Sequence, residues 1–333
     1  QREPRLSAVY HGGDLSKAAA RFGAPSDGWV DLSTGINPRP WPVDACMLEG
    51  LHQLPDAARL DRLRVAAASA YGVDNTERIA AAPGTQALIQ WLPRLRPIGR
   101  VGIVSPTYGE HAAAWALAGH DVSEIGCLPD AADFDVVVVT RPNNPDGRTV
   151  SRDDLGALAA ALARKDGLLV VDEAFADLDP APSVAAHSGG GMIALRSFGK
   201  FFGLPGVRLG FAVTDAGTAA AIGAALGPWP VSSLAADIGT AALADTDWQG
   251  ATRHWLARAS ARLDAILTAA GIGIVGGTDL YRLAETDAAS ELHAKLGRAG
   301  IYTRPFPDQA RWLRFGLPGP DTHWNRLEQA IGS

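Results

Sequence analysis

The chain has 333 residues, 47% of them hydrophobic and 20% charged, with a formal net charge of −6; that length predicts a full core divided between two lobes. The acidic balance and the lack of a basic stripe argue against a nucleic-acid partner. No apolar run is long enough to span a bilayer, and Gln1-Arg2-Glu3-Pro4-Arg5 leads into no signal-peptide core, so no membrane partner is expected. Cys46 and Cys127 form neither a metal spacing nor a disulfide framework, which fits a reducing cytoplasm.

Taken in chain order, the first thirty residues carry Gly and Pro with little periodicity. The turn Pro83-Gly84-Thr85-Gln86 precedes a helix predicted over 85–92, and a strand over 101–104 leads to a helix over 109–118. The β-branched run of 136–140 reads as a strand buried on both faces. It empties into Pro142-Asn143-Asn144-Pro145-Asp146-Gly147, followed by a helix over 151–164. Strands follow at 168–171, 192–195 and 210–213, with Gly189-Gly190-Gly191 as a linker into the second of them. Strand and helix alternating at this spacing predict an α/β fold, a mostly parallel sheet with helices on both faces. Beyond about residue 235, helices from Asp247 to Ala270 and Asp287 to Ala299, with strands near 280–283 and 312–316, suggest a smaller α+β lobe. Gly227-Pro228-Trp229-Pro230 falls near the hinge.

Three segments carry the chemistry. Lys200, in Ser197-Phe198-Gly199-Lys200-Phe201-Phe202-Gly203, has apolar neighbours that disfavour an ammonium and suit a lysine that forms a Schiff base. Pyridoxal phosphate offers both an aldehyde for that amine and a phosphate for small hydroxylated residues. Asn143 follows a buried strand at the end where open α/β sheets keep their ligands. Asp172, in Val170-Val171-Asp172-Glu173-Ala174, ends another strand and suits a charged ring nitrogen. A loop lysine, a turn and a helix cap are the plain structural readings of these three taken singly. Their succession after apolar strands is what points to one site.

On these motifs the chain resembles the class I/II aminotransferases of pyridoxal phosphate fold type I, a large domain with a small α+β C-terminal domain. Within them it is most like the threonine-phosphate decarboxylases of cobalamin biosynthesis, relatives of the histidinol-phosphate aminotransferases. The further markers are His11-Gly12-Gly13-Asp14, Asp31-Leu32-Ser33-Thr34-Gly35-Ile36-Asn37-Pro38, Pro228-Trp229-Pro230-Val231-Ser232, Tyr302-Thr303-Arg304-Pro305 and Leu313-Arg314. The resemblance implies an N-terminal arm over 1–35, a cofactor domain over 36–235 and a small domain over 236–333. It implies a phosphate cup of Gly84, Thr85, Gln86, Ser197 and Arg208, Asn143 on the ring hydroxyl and Asp172 on the ring nitrogen. His111 is expected to stack on the ring, with Tyr108 as the other choice and a solvent-facing histidine as the plain alternative. Arg314 is expected to grip the substrate carboxylate, and His11, Asn37 and Arg304 to receive a substrate phosphate. Leu54 and Phe175 depart from tyrosines common in relatives, and a homodimer is implied all the same.

The implied activity is decarboxylation of L-threonine phosphate, a small phosphorylated amino acid, to (R)-1-aminopropan-2-ol phosphate. An aminotransferase of the histidinol-phosphate type is the alternative. A catalytically silent protein of the same fold, acting in binding or regulation, is a third reading, opposed by the intact Lys200, Asn143, Asp172 and Arg208. No residue in the sequence by itself chooses between losing the carboxylate and losing the α-hydrogen.

Overall fold

The structure, a computed structural model, describes residues 11–332. The expectations for Gln1–Arg5 and for the first ten residues of the arm lie outside the described residues.

Contacts divide the chain into two compact units. The larger holds Pro40–Asn144 and Arg148–Gly250; the smaller holds the described residues up to Arg39, Pro145–Gly147 and those from Ala251 on. Relative to boundaries at 35 and 235, the helix Ser233–Ala244 stays with the larger unit, because it packs along Ala57–Tyr71.

The elements run α1 (Leu15–Phe22), β1 (Val30–Asp31), α2 (Ala57–Tyr71), β2 (Ile79–Ala82), α3 (Thr85–Trp91), β3 (Arg100–Val104), α4 (Glu110–Leu117) and β4 (Asp121–Ile125). Next come β5 (Val136–Thr140), α5 (Arg152–Ala163), β6 (Leu168–Asp172), β7 (Met192–Ser197), α6 (Phe198–Phe201), β8 (Gly210–Val213), α7 (Ala216–Leu226) and α8 (Ser233–Ala244). The chain continues through α9 (Thr246–Ala269), β9 (Gly273–Thr278), β10 (Tyr281–Glu285), α10 (Ala289–Arg298), β11 (Ile301–Tyr302), β12 (Arg304–Pro305), β13 (Trp312–Gly316) and α11 (Asp321–Gly332).

In the larger unit seven strands lie in the order β2-β8-β7-β6-β5-β3-β4. Neighbours from β4 to β7 are parallel, and β8 runs antiparallel to both β7 and β2. The chain steps outward from β3 to β4, then returns to β5 on the other side of β3. Such a reversal of strand order leaves a crevice at the carboxyl ends, where ligands of open α/β sheets bind. Every residue of β5, β6 and β7 is buried, which explains their unbroken apolar runs, whereas β4 is an edge strand kept polar by Asp121 and Glu124. Leu88, Ile103, Trp115, Val138, Val170 and Ile193 form the centre of the core around this sheet. Helix α5 begins at Ser151, whose hydroxyl accepts from the amide of Asp154 at 3.1 Å, and Asp153 and Asp154 favour its positive end.

The smaller unit carries an antiparallel sheet in the order β12-β13-β10-β9 and a short parallel pair, β1 with β11. Register places Arg304 opposite Arg314 and Leu283 opposite Arg314 on its other side. Here the N-terminal segment departs from its aperiodic appearance. Asp14 caps α1 by accepting from the amide of Lys17, and Phe22 packs onto Gly297 of α10, where a Cβ would come within 2.7 Å of the ring.

Candidate active site

In the larger unit Asn143, Asp172 and Lys200 lie at or just past the carboxyl ends of β5, β6 and β7. Asp172 ends β6 and is buried; its Oδ1 accepts from the amide of Ala174 at 3.0 Å and its Oδ2 lies 2.8 Å from Nε2 of His111. His111 comes from the buried face of α4. His111 is therefore buried rather than solvent-facing, and its ring nitrogen Nε2 bonds to Asp172 and fixes the carboxylate's orientation. Tyr108, one turn earlier, meets His111 edge-on at 6.1 Å and donates its hydroxyl to Gln86 Oε1 at 3.2 Å.

Asn143 is fully buried. Its Nδ2 donates to the carbonyl of Pro106 at 2.9 Å, and its Oδ1 accepts from the hydroxyl of Thr107 at 2.7 Å. Thr107 thus sets the amide's rotation, a role not expected from the sequence. Lys200 sits in α6, a single turn fastened by aromatic rings: Phe198 stacks on Phe202 at 4.5 Å, and Phe202 on Trp248 at 5.7 Å. Phe175 is buried, with its ring centroid 5.9 Å from the lysine Nζ.

Gly84, Arg208 and Ser197 form a cradle. Gly84 has φ +83°, and a Cβ there would stand 2.7 Å from Nη2 of Arg208, so only glycine lets the guanidinium close on the turn. Arg208 itself holds a left-handed conformation at φ 54°. No side chain caps the first turn of α3, and the Ser197 hydroxyl makes no capping bond at the start of α6. Thr85 opens α3 directly against this turn, where a Cβ on Gly210 would come within 2.6 Å of its amide nitrogen. The side chain of Gln86 is spent differently, with Nε2 donating to Glu110 at 2.7 Å, so its part in any cup belongs to its backbone. A lysine, a buried carboxylate and a cradle with uncapped amides, a serine hydroxyl and one arginine fit pyridoxal phosphate.

In the smaller unit Arg314 is buried in β13, donates Nη2 to the carbonyl of Ser33 at 2.7 Å and lies 5.1 Å from the ring centroid of Tyr281. Burial, and then the positive charge of Arg304, push its pKa down to about 9, with Tyr281 and Asp31 opposing. Like charges directly across a strand pair disfavour each other. Ser33, another residue not singled out, ties this arginine to the N-terminal turn. The amide of Gly13 donates to its hydroxyl at 2.7 Å, and a Cβ on Gly12 would come within 2.3 Å of its carbonyl oxygen. His11 is exposed at the start of that turn. Asn37 is buried, with Oδ1 accepting from the amide of Arg39 at 2.9 Å.

The class I and II aminotransferase family pattern matches residues 42–331. The chain is 44% identical over 325 residues to a threonine-phosphate decarboxylase from Pseudomonas aeruginosa, covering 96% of each chain. It is also 44% identical over 328 residues to one from Sinorhizobium sp., covering 97% of each. The crystal structure of histidinol-phosphate aminotransferase from Sinorhizobium meliloti in complex with pyridoxal-5'-phosphate matches with a TM-score of 0.80 at 21% identity, over 99% of this chain and 97% of that one. That last likeness is one of fold.

Proposed function

The chain belongs to the class I and II aminotransferase family, and on that premise we propose that it removes carbon dioxide from L-threonine O-3-phosphate to give (R)-1-aminopropan-2-ol phosphate for cobalamin biosynthesis. The observation that carries this is the 44% identity, over nearly the full length of each chain, to two threonine-phosphate decarboxylases. The enzyme is a lyase of fold type I that depends on pyridoxal 5'-phosphate.

When bound, the cofactor supplies an electron sink for the bond that breaks at the substrate's α-carbon. Lys200 would hold the cofactor through its amine and would supply the proton that replaces the lost carboxylate at the α-carbon. Asp172 would keep the cofactor's ring nitrogen protonated, and His111 would hold that carboxylate in place. Asn143 would hold the cofactor's ring hydroxyl. Gly84, Thr85 and Gln86 through their backbone, with Ser197 and Arg208, hold the phosphate of the cofactor. Arg314 binds the substrate carboxylate, while Arg304, Asn37 and His11 receive the substrate phosphate. Two guanidinium groups on paired strands suit a substrate with two anionic ends.

The reading extends to a homodimer in the cytoplasm. Leu48, Leu51, Leu54 and Val65 are each at least half exposed, an apolar run that needs cover. Cys46 and Cys127 are free and exposed, which suits a reducing compartment. No described helix is long and apolar enough to cross a membrane.

The test is product analysis after mixing cofactor-loaded protein with threonine phosphate and no keto acid. Aminopropanol phosphate and carbon dioxide are expected. No product, with turnover of histidinol phosphate once 2-oxoglutarate is added, would move the chain to the aminotransferases.

A further inference from the structure

Directly after Asp172 comes Glu173, fully buried, and its carboxylate is a junction. Oε1 accepts from Nη1 of Arg141 at 3.3 Å and from the amide of Val184 at 2.8 Å; Oε2 accepts from Nη1 of Arg196 at 3.0 Å and from the Ser183 hydroxyl at 2.5 Å. Arg196 is also ion-paired with Asp177 and lies 4.6 Å from the ring centroid of Tyr71. Arg141 donates further to the carbonyls of Pro182 at 2.7 Å and Val150 at 2.5 Å. Burial works against the charge on Arg196, yet Asp177 and then Glu173 outweigh it and hold the guanidinium more firmly protonated than usual.

The placement of these residues in the chain gives the network its meaning. Arg141 lies at the tip of β5, two residues before Asn143; Glu173 lies at the tip of β6, next to Asp172; Arg196 lies near the end of β7, four residues before Lys200. The backbone ladder stops at this level. Its last bonds run from the amide of Arg141 to the carbonyl of Asp172 at 2.8 Å and from the amide of Glu173 to the carbonyl of Leu195 at 2.9 Å. Beyond them, the side-chain bonds of Glu173 to Arg141 and Arg196 tie the three tips together. A buried ion network is weak evidence for stability, since apolar packing of the same volume serves as well or better. What directed guanidinium–carboxylate bonds add is fixed geometry.

We propose that Glu173 is a positioning residue, the hub of a clamp with Arg141 and Arg196 that sets the mutual placement of Asn143, Asp172 and Lys200 around the cofactor. The proposal rests on the pyridoxal phosphate reading of the site. Glu173 acts through its neighbours, and its influence is on how tightly the cofactor is held and on the pH at which its bound chromophore changes protonation.

The test compares wild-type protein with Glu173→Asp and Arg141→Lys, which keep every charge but change reach and fork. Three quantities are read: thermal midpoint of the apoprotein, rate of pyridoxal phosphate loss on dilution, and pH midpoint of the visible absorption of the loaded protein. Glu173→Asp is expected to speed cofactor loss about tenfold and move the pH midpoint by about one unit, as shifts in a supporting shell do. Arg141→Lys, at the rim of the network, should show the same changes at smaller size. Variants that lower the thermal midpoint but keep the wild-type pH midpoint and cofactor retention would overturn the proposal and leave the network purely structural. Should Glu173→Asp not fold, Arg141→Lys decides by the same criterion. Wild-type protein that takes up no pyridoxal phosphate would overturn the functional reading as well, a failure visible before any variant is made.

Discussion

The strand tips of the larger unit and the paired strands of the smaller one handle charge in opposite ways. Around β5, β6 and β7 the polar groups are paired and tied down: Asp172 with His111, Glu173 between Arg141 and Arg196, Asn143 oriented by Thr107 and Pro106. On β12 and β13, Arg304 faces Arg314 across the ladder, and burial with this repulsion depresses the pKa of Arg314. A group meant to stay in place is served by fixed, mutually satisfied dipoles. A group meant to bind and leave is served by like charges held close together, a conflict that an anion reduces. On the proposed function, the difference would separate holding a cofactor from turning over a substrate.

The largest expected effect tests the first half of that contrast. Lys200→Ala should abolish carbon dioxide release, a loss of about 10^4-fold or more, because both the anchor and the proton donor go with the amine; residual turnover near wild type in a quenched assay would remove Lys200 from the chemistry. Next, Asp172→Asn should keep pyridoxal phosphate by absorbance yet lose about 10^2-fold or more in turnover, since an amide does not hold the ring nitrogen protonated. Near-normal turnover would assign Asp172 another role.

The second half is tested on the substrate side. Arg314→Gln should raise KM by roughly 10- to 100-fold, the worth of a charged hydrogen bond of about 1.5–3 kcal/mol, with kcat less affected. A loss confined to kcat would show that the arginine orients rather than binds.

The smallest effect concerns His293, buried beside Phe22 and bonded through Nδ1 to Thr303 at 2.9 Å. Burial, then Arg21, bring its pKa down to about 4 from 6.5. Between these values the unfolded chain binds more protons than the native one, so stability falls as pH is lowered from about 6.5 to about 4. A series of thermal midpoints should show that decline in wild type and a shallower one in His293→Gln. Parallel curves would exclude the histidine as the cause.

Local pattern made part of this legible. The strands near 101, 136, 168, 192 and 210 stand within a residue or two of expectation, because strands buried on both faces need continuous apolar runs. Asn143, Asp172 and Lys200 were legible because each leaves such a strand. The edge strands β2, β4 and β9 were not, being short, polar or glycine-rich: β4 reads Asp-Val-Ser-Glu-Ile and β9 Gly-Ile-Val-Gly-Gly-Thr. Helix α1 was missed because its signal was one capping residue, Asp14, ahead of a short stretch.

By itself the sequence determined the alternation that makes a parallel sheet, the residues at the strand ends and, through its motifs, the class of cofactor. These are properties of neighbours in the chain, set by side-chain period, backbone freedom and turn chemistry. Only the tertiary structure decided that His111 serves Asp172 from 61 positions away, that Gln86 turns its side chain to Glu110, and that Glu173 joins three strand tips. A hydrogen bond is chosen by distance and direction in space, and those are fixed when helices close over the sheet.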